Sequence, residues 1–502
     1  MLGETSRTLQ EYVLLPDYIS DELRPDRVSF STYLTRVRGE EPPMKLNIPI
    51  LSAAMQCVTG PEMTIALARL GGLGVIPRSQ SIESQAQMIR DIKRYKAGFV
   101  TSETVTPEDS LEHVKGRMKT TGYSKFPVVD TEGRLLGIIT DNDFDDRLHL
   151  GRGLTARDRM IPFKDLAAVY TDDIDGDIRE ANRRLREGHH SVLPIIDRDG
   201  RLKSLVFKKD WETHEKYPHE FLDDERRYRA GAAVDTIDYA DRVPALIEAG
   251  VDVLFIDSSH GHTGYQEKTL DYIKNRYPNM PVVCGNIVTG EGFEFLANAG
   301  ADAVKVGMSS GYGCITKEQI GIGRGQATAV KEVADARRLF FEKKGVYVPI
   351  ISDGGVIVAK DILTALALGA DSVMVGSYIS GCDESPPSIE EIEVEVERFG
   401  PARIKAKRYW GEASRRARGW MKGRYSHSSF SEGIETWVPY YGSLDSHLGD
   451  ALEKIRAGMR EAGCESIEDL HERVGNGKVR LELLSPSSFR ESGTRYAGRI
   501  RF

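Results

Sequence analysis

Ala299-Gly-Ala-Asp-Ala-Val-Lys-Val-Gly-Met-Ser-Ser-Gly-Tyr-Gly-Cys314 contains a complete architectural step: a helix-ending turn, a buried strand from Ala301 to Gly307, and a glycine-rich loop. The turn recurs. Ala249-Gly-Val-Asp252 and Leu368-Gly-Ala-Asp371 stand just before two more apolar runs, Val251–Asp257 and Ala370–Gly376. Further runs of the same kind lie outward in both directions, at Ile48–Met55, Gly72–Pro77, Gly231–Asp235, Pro281–Asn286 and Pro349–Gly355. Each is continuously apolar, as a strand covered on both faces must be, and helical segments lie between them. One of these is Pro61–Leu70, with proline where a helix begins. Eight βα units in series predict an α/β fold of the (β/α)8 TIM-barrel class.

A second pattern interrupts the series after two units. Phe126-Pro-Val-Val-Asp-Thr-Glu-Gly-Arg-Leu-Leu-Gly-Ile-Ile-Thr-Asp-Asn-Asp143 is echoed by Leu193-Pro-Ile-Ile-Asp-Arg-Asp-Gly-Arg-Leu-Lys-Ser-Leu-Val-Phe-Lys-Lys-Asp210. Pro127 and Pro194, Gly133 and Gly200, and Asp143 and Asp210 are each 67 residues apart, the mark of a tandem repeat. Each copy reads as strand, Asp/Gly turn, strand, after an amphipathic helix at Leu111–Thr120 or Ile178–Gly188. The expected organisation is a first barrel part at 1–97, a repeat pair at 98–215 (halves at about 98–155 and 156–215), and a second barrel part at 216–502. Barrels accept such insertions in loops.

Composition narrows the function classes. A formal net charge of −8 and a pI near 5.9 argue against a nucleic-acid protein, whose affinity would rest on neutralising phosphates. Five cysteines, with no CxxC spacing, indicate a reducing compartment and no structural zinc. No apolar run is long enough to cross a membrane, and the N-terminus lacks a signal-peptide core. The expectation is a soluble cytoplasmic protein.

Chemistry concentrates in the loop 307–325. Gly307, Gly311 and Gly313 precede Cys314, and Gly321, Gly323 and Gly325 follow it. A cysteine is often an inert core residue, but here glycine N–H groups surround the thiol and can support a thiolate or a developing oxyanion. At the ends of the seventh and eighth strands, Asp353-Gly354-Gly355 and Gly376-Ser377 read as phosphate loops or as plain rim turns. The basic run from Ala402 to Tyr425 reads as a solvated loop or a phosphate patch, and His260 and His262 as solvated loop histidines.

The strand, the glycine loop, Cys314-Ile-Thr316 and Gly321-Ile-Gly-Arg-Gly-Gln-Ala-Thr-Ala329 closely resemble the catalytic loop of the IMP dehydrogenase/GMP reductase family. The resemblance extends over essentially the whole chain. In the dehydrogenase the cysteine attacks C2 of the purine, and the resemblance implies NAD-dependent oxidation of IMP to XMP through a covalent thioimidate, then hydrolysis. Asp353, Gly355, Gly376, Ser377, Tyr409, Gly411, Glu412 and Glu432 match substrate-facing positions. Asp257, Ser258, Ser259, Asn286 and Gly307 match the NAD side. A flap at about 400–435 carries Arg424 and Tyr425, which with Thr316 would activate water. GMP reductase lacks that flap, so the pair favours the dehydrogenase, with GMP reductase or a nucleotide sensor as alternatives.

The family also implies a homotetramer and a K⁺ ion held by carbonyls of Gly311, Gly313 and Cys314 with a neighbour's C-terminal segment, near Glu491-Ser-Gly493 here. The repeat pair resembles two CBS modules, which in many proteins bind adenine nucleotides through a hydroxyl and an aspartate three residues on, and which otherwise serve as a structural or regulatory module with no bound nucleotide. Thr140 and Asp143 fit that rule, while Phe207 breaks it in the second copy. One departure stands beside the nucleophile, where Tyr312 and Gly313 replace the family's serine and small apolar residue.

Overall fold

The computed structural model describes residues 5–37, 43–94, 103–121, 124–174, 178–188, 191–207, 216–396, 400–418, 430–488 and 500–501. The chain divides into two compact units, one of residues 1–95, 219–221 and 228–502, the other of residues 96–218 and 222–227.

Eight parallel strands close the barrel of the first unit: Ile50–Ser52, Leu73–Ile76, Ala230–Val234, Val253–Asp257, Val282–Ile287, Ala303–Val306, Ile350–Asp353 and Ser372–Val375. They run in chain order around the ring, and Val373 pairs with Ile50 to shut it. Leu51, Leu73, Val75, Phe255, Val283, Ile351 and Met374 fill the interior, so this is a packed core and not a pore. Reactive groups are therefore confined to the rim at the strands' C-terminal ends.

The recurring Gly-x-Asp turn has a physical reason. Gly250, Gly300 and Gly369 have φ of +91°, +104° and +106°, a left-handed backbone that glycine adopts without strain. That turn aims each following aspartate back at the preceding barrel strand. Asp252 accepts the N–H of Ala230 at 2.8 Å, Asp302 that of Val282 at 2.7 Å, and Asp371 that of Ile350 at 2.8 Å. Each aspartate's own N–H returns a bond to the carbonyl of the same residue. A buried or half-buried cation completes each clamp: Lys93, Lys274 or Arg337. These bonds satisfy the first donor of a strand that would otherwise begin unpaired.

In the second unit the two hairpins share one register. Lys125 pairs with Thr140 and Val192 with Phe207, both pairs related by the 67-residue offset seen in the sequence, and both ladders slip at the same place. The copies also pair with each other: Leu135 donates to the carbonyl of Gly200, and Leu202 to that of Gly133. Helices Leu111–Thr121 and Ile178–Glu187 precede the hairpins.

The basic run is not a loop throughout. Gly400–Trp410 is a strand held between Ile389–Val396 and Glu435–Pro439. Opposite charges sit directly across the ladder at Glu393/Arg403 and Glu391/Lys405, which supports pairing that a loop reading overlooks. Arg424, Tyr425 and Glu491-Ser-Gly493 lie outside the described residues. Among the described residues no helix is long and apolar enough to cross a membrane.

Candidate active site

The sixth strand delivers its chain into the loop that carries Cys314, and that loop is fastened on two sides. Gly354 has φ of +91°, and a β-carbon there would stand 2.7 Å from Ser310 Oγ, so the seventh-strand loop and the cysteine loop touch only because the residue is glycine. On the other side the Ile434 N–H donates to Gly313 O at 3.0 Å, and the Ile315 N–H to Glu432 O at 2.9 Å. Cys314 thereby faces a cavity at the barrel mouth.

That cavity brings together Asp257, Ser258, Ser259, Asn286, Gly307, Gly311, Gly313, Cys314, Thr316, Asp353, Tyr409, Gly411, Glu412 and Glu432. Gly355, Gly376 and Ser377 are not in its lining. The Gly355 carbonyl accepts Gln10 Nε2 at 2.7 Å, Ser377 opens the short helix Ser377–Ser380, and Gly354 lines the wall instead. His260 and His262 are exposed, and no cluster of three or more metal-ligating side chains occurs among the described residues.

Cys314 is the cysteine that is not buried. Burial pushes the other thiols up: Cys57 and Cys284 far above the usual range, and Cys382 and Cys464 to about 12. Cys314 Sγ lies 3.1 Å from Thr316 Oγ1, which donates to Glu432 Oε2 at 3.0 Å. Thiol, hydroxyl and carboxylate thus form one line along which a proton can leave the sulfur.

In the same cavity, Lys305 rises from the sixth strand, 4% exposed, between Asp257 at 3.0 Å and Asp353 at 2.6 Å. Burial alone would lower the lysine's pKa, but the two carboxylates outweigh it and raise it. Burial likewise pushes Asp257 up, yet Lys305 and Arg78 hold its carboxyl below the usual range. Asn286 Nδ2 donates to Asp353 Oδ2 at 2.9 Å and to Gly307 O at 2.7 Å, leaving its buried Oδ1 without a partner. Lys305 escaped the sequence reading, although a lone charge inside Ala-Val-Lys-Val was its signal. Arg78 and Met55, which also line the cavity, gave none.

Tyr312 does not line the cavity. Its ring is half exposed and meets Tyr409 edge-on with centroids 5.7 Å apart. A β-carbon at Gly313 would stand 2.9 Å from Tyr409 Cε1, so glycine at 313 makes room for this aromatic contact.

Glu412 accepts the N–H of Gln56 at 2.7 Å. Burial pushes its carboxyl up to about 6, against the opposing pull of Ser79, Gln56 and Arg78. The folded chain therefore binds this proton more tightly than the unfolded chain. The resulting stability is fully present below pH 4.5, the ordinary carboxyl value, and is lost as pH rises through about 6. Glu412→Gln, neutral at every pH, should gain about 2 kcal/mol over the natural protein near neutrality and nothing in acid. Thermal unfolding of both proteins at the two pH values checks this, and parallel pH slopes would refute it.

The family model described as the IMP dehydrogenase / GMP reductase domain matches residues 6–495. The chain is 40% identical over 500 residues to an inosine-5'-monophosphate dehydrogenase of Tritrichomonas foetus, covering 98% of this chain and 96% of that one. It is 34% identical to the protein of that name from Escherichia coli K12, covering 94% and 93%. Among solved structures, a Cys-to-Ala variant of GMP reductase from Trypanosoma brucei, in complex with guanosine 5'-monophosphate, aligns with a TM-score of 0.81 at 29% identity, covering 98% of both chains.

Proposed function

Because the chain belongs to the IMP dehydrogenase/GMP reductase family, we propose that it is an NAD-dependent IMP dehydrogenase: the 40% identity to a relative of that name supports this branch of the family, and the Cys314–Thr316–Glu432 line supports the covalent chemistry. The thiol gives its proton through Thr316 toward Glu432, and sulfur bonds to C2 of IMP. NAD, when bound, takes up the hydride that leaves C2. The C2–S bond and the restored C=N double bond then form a thioimidate. In the second half water adds to C2, the C–S bond breaks, the sulfur regains a proton, and XMP leaves. Arg424 and Tyr425 are assigned to activate that water on the strength of the sequence resemblance.

We assign Asp353, held by Lys305 and Asn286 through Oδ2, to the hydroxyls of the IMP ribose. The residues also fit a dinucleotide. Asp257 spends one oxygen on Lys305 and offers the other to a ribose diol, and the unpaired Asn286 Oδ1 suits an amide donor. K⁺ is assigned to the carbonyls of Gly311, Gly313 and Cys314 on the strength of the sequence resemblance. Gly311 O accepts the Cys314 N–H and Gly313 O that of Ile434, and each carbonyl keeps a second lone pair for a cation.

We assign the second unit to a tandem CBS module, and the chain as a whole to a homotetramer. In the first repeat Asp143 accepts the Thr140 N–H at 2.5 Å, and the Thr140 hydroxyl accepts the Asn142 N–H at 3.3 Å. These bonds use one oxygen of the Asp143 carboxylate and one lone pair of the Thr140 hydroxyl, whose proton can still be donated.

The test supplies IMP and NAD and follows NADH and XMP. Their equal production supports the dehydrogenase. No NADH, together with consumption of NADPH and GMP, would assign the chain to the reductase.

A further inference from the structure

Lys407 lies within the strand Gly400–Trp410 and is 1% exposed. Its ammonium is enclosed by one tight turn: Cys382 O at 2.6 Å, Ser385 O at 2.9 Å, Asp383 O at 3.1 Å and Ser385 Oγ at 3.0 Å. The Ser385 hydroxyl directs its proton at Ser380 O or Cys382 O, so it too accepts from Lys407. An ammonium has three donors and no lone pair, which matches a cage made of acceptors alone. Burial pulls the amine's pKa below the ordinary lysine value, and the negative field of Asp383 and Glu384 opposes that pull. Neutral main-chain oxygens closing on a compact monovalent cation is the chemistry by which proteins replace the hydration shell of K⁺.

The position of the cage gives it a role. The caging turn continues the chain that leaves the eighth strand through Gly376 and the helix Ser377–Ser380. Tyr409 lies two residues past Lys407, on the same face of the strand. A β-carbon on Gly376 would stand 3.3 Å from the Tyr409 hydroxyl, so the tyrosine bears on the loop that the turn anchors. Gly411 and Glu412 follow directly in the cavity wall.

We propose that Lys407 is a covalently tethered monovalent cation. Its ammonium fills an oxygen cage, and by filling it sets Tyr409 and Glu412 in register with the Gly376–Ser377 loop. Lys407 is thus a positioning residue. Its effect on nucleotide binding rests on the proposed function, whereas the cage does not.

Lys407→Ala in the full-length protein empties the cage, and Lys407→Met fills the space without charge. Thermal unfolding and IMP binding are measured in choline chloride, then after exchange to ammonium, K⁺ or Li⁺ at constant ionic strength, always as differences from the natural protein. Bound thallium ion, a K⁺ probe, is counted by NMR. The alanine variant should melt earlier in choline and bind IMP about tenfold more weakly, since a misplacement of about 1 Å is costly in such sites. Ammonium and K⁺ should restore both properties, Li⁺ and the methionine variant should show no such recovery, and the alanine variant should hold one thallium ion more than the natural protein.

An alanine variant equal to the natural protein in choline would overturn the proposal. So would a deficit untouched by ammonium and K⁺, equal rescue of the methionine variant, or an alanine variant that folds in none of these salts. If the natural protein fails to bind IMP, the nucleotide reading falls while melting and thallium counts still judge the cage.

Discussion

Cys314→Ala should abolish turnover, by a factor of about 10⁴ or more, because among the described residues that line the cavity Cys314 supplies the thiol, and without it the reaction cannot divide into two easier steps. Ground-state binding should survive. The sulfur is one atom of a wall that includes Asp353, Tyr409 and Glu412, so IMP affinity should stay within about threefold of the natural protein. The contrast separates a nucleophile from a packing residue, for which binding and turnover would fall together. A chemical readout accompanies it. Cys57, Cys284, Cys382 and Cys464 are buried, with thiols pushed up, so brief alkylation of the folded protein should mark Cys314 alone, and IMP should protect it. An alanine variant retaining a tenth of the activity would remove the thiol from the mechanism.

Lys305→Met should be the most damaging change to the fold near the site. The lysine is the cation shared by Asp257 and Asp353, and its removal leaves two carboxylates close together with little water to screen them. Breaking a buried pair by deleting one partner costs about 3–5 kcal/mol, more than forming it gained, because an uncompensated charge remains. Denaturant unfolding should show that loss. Adding Asp257→Asn should recover a large part of it by removing one of the stranded charges. The double variant should regain stability without regaining activity, since Asp257 is also assigned to the dinucleotide. Unfolding within about 1 kcal/mol of the natural protein would show that the carboxylates take up protons and stay neutral.

How much of this was legible beforehand depended on whether the signal was local. The eight strands were readable because strands covered on both faces are continuously apolar, and because Gly250, Gly300 and Gly369 mark one turn that needs a left-handed residue. The repeat register was readable from three anchors alone. The fate of Lys407 was not. A lysine among Arg403, Lys405 and Arg408 looks like a solvated charge, and only the turn Cys382–Ser385, far away in sequence, makes it a buried one. Gly355, Gly376 and Ser377 were correctly tied to strand ends, yet which of them faces the cavity is a matter of loop packing, and Gly354 holds that place. Lys305 could have been found, because a charge in a buried strand calls for a partner at the same level.

The aspartate clamps at the foot of the barrel imply a vertical division of labour. Asp252, Asp302 and Asp371 tie neighbouring staves at the end remote from the thiol, so faults there should scarcely touch rate constants and should instead reduce how much intact enzyme a cell accumulates. Faults at the mouth should do the reverse. A survey of random variants, sorted by height along the barrel axis, would separate into scarce but competent enzymes below and abundant but idle ones above.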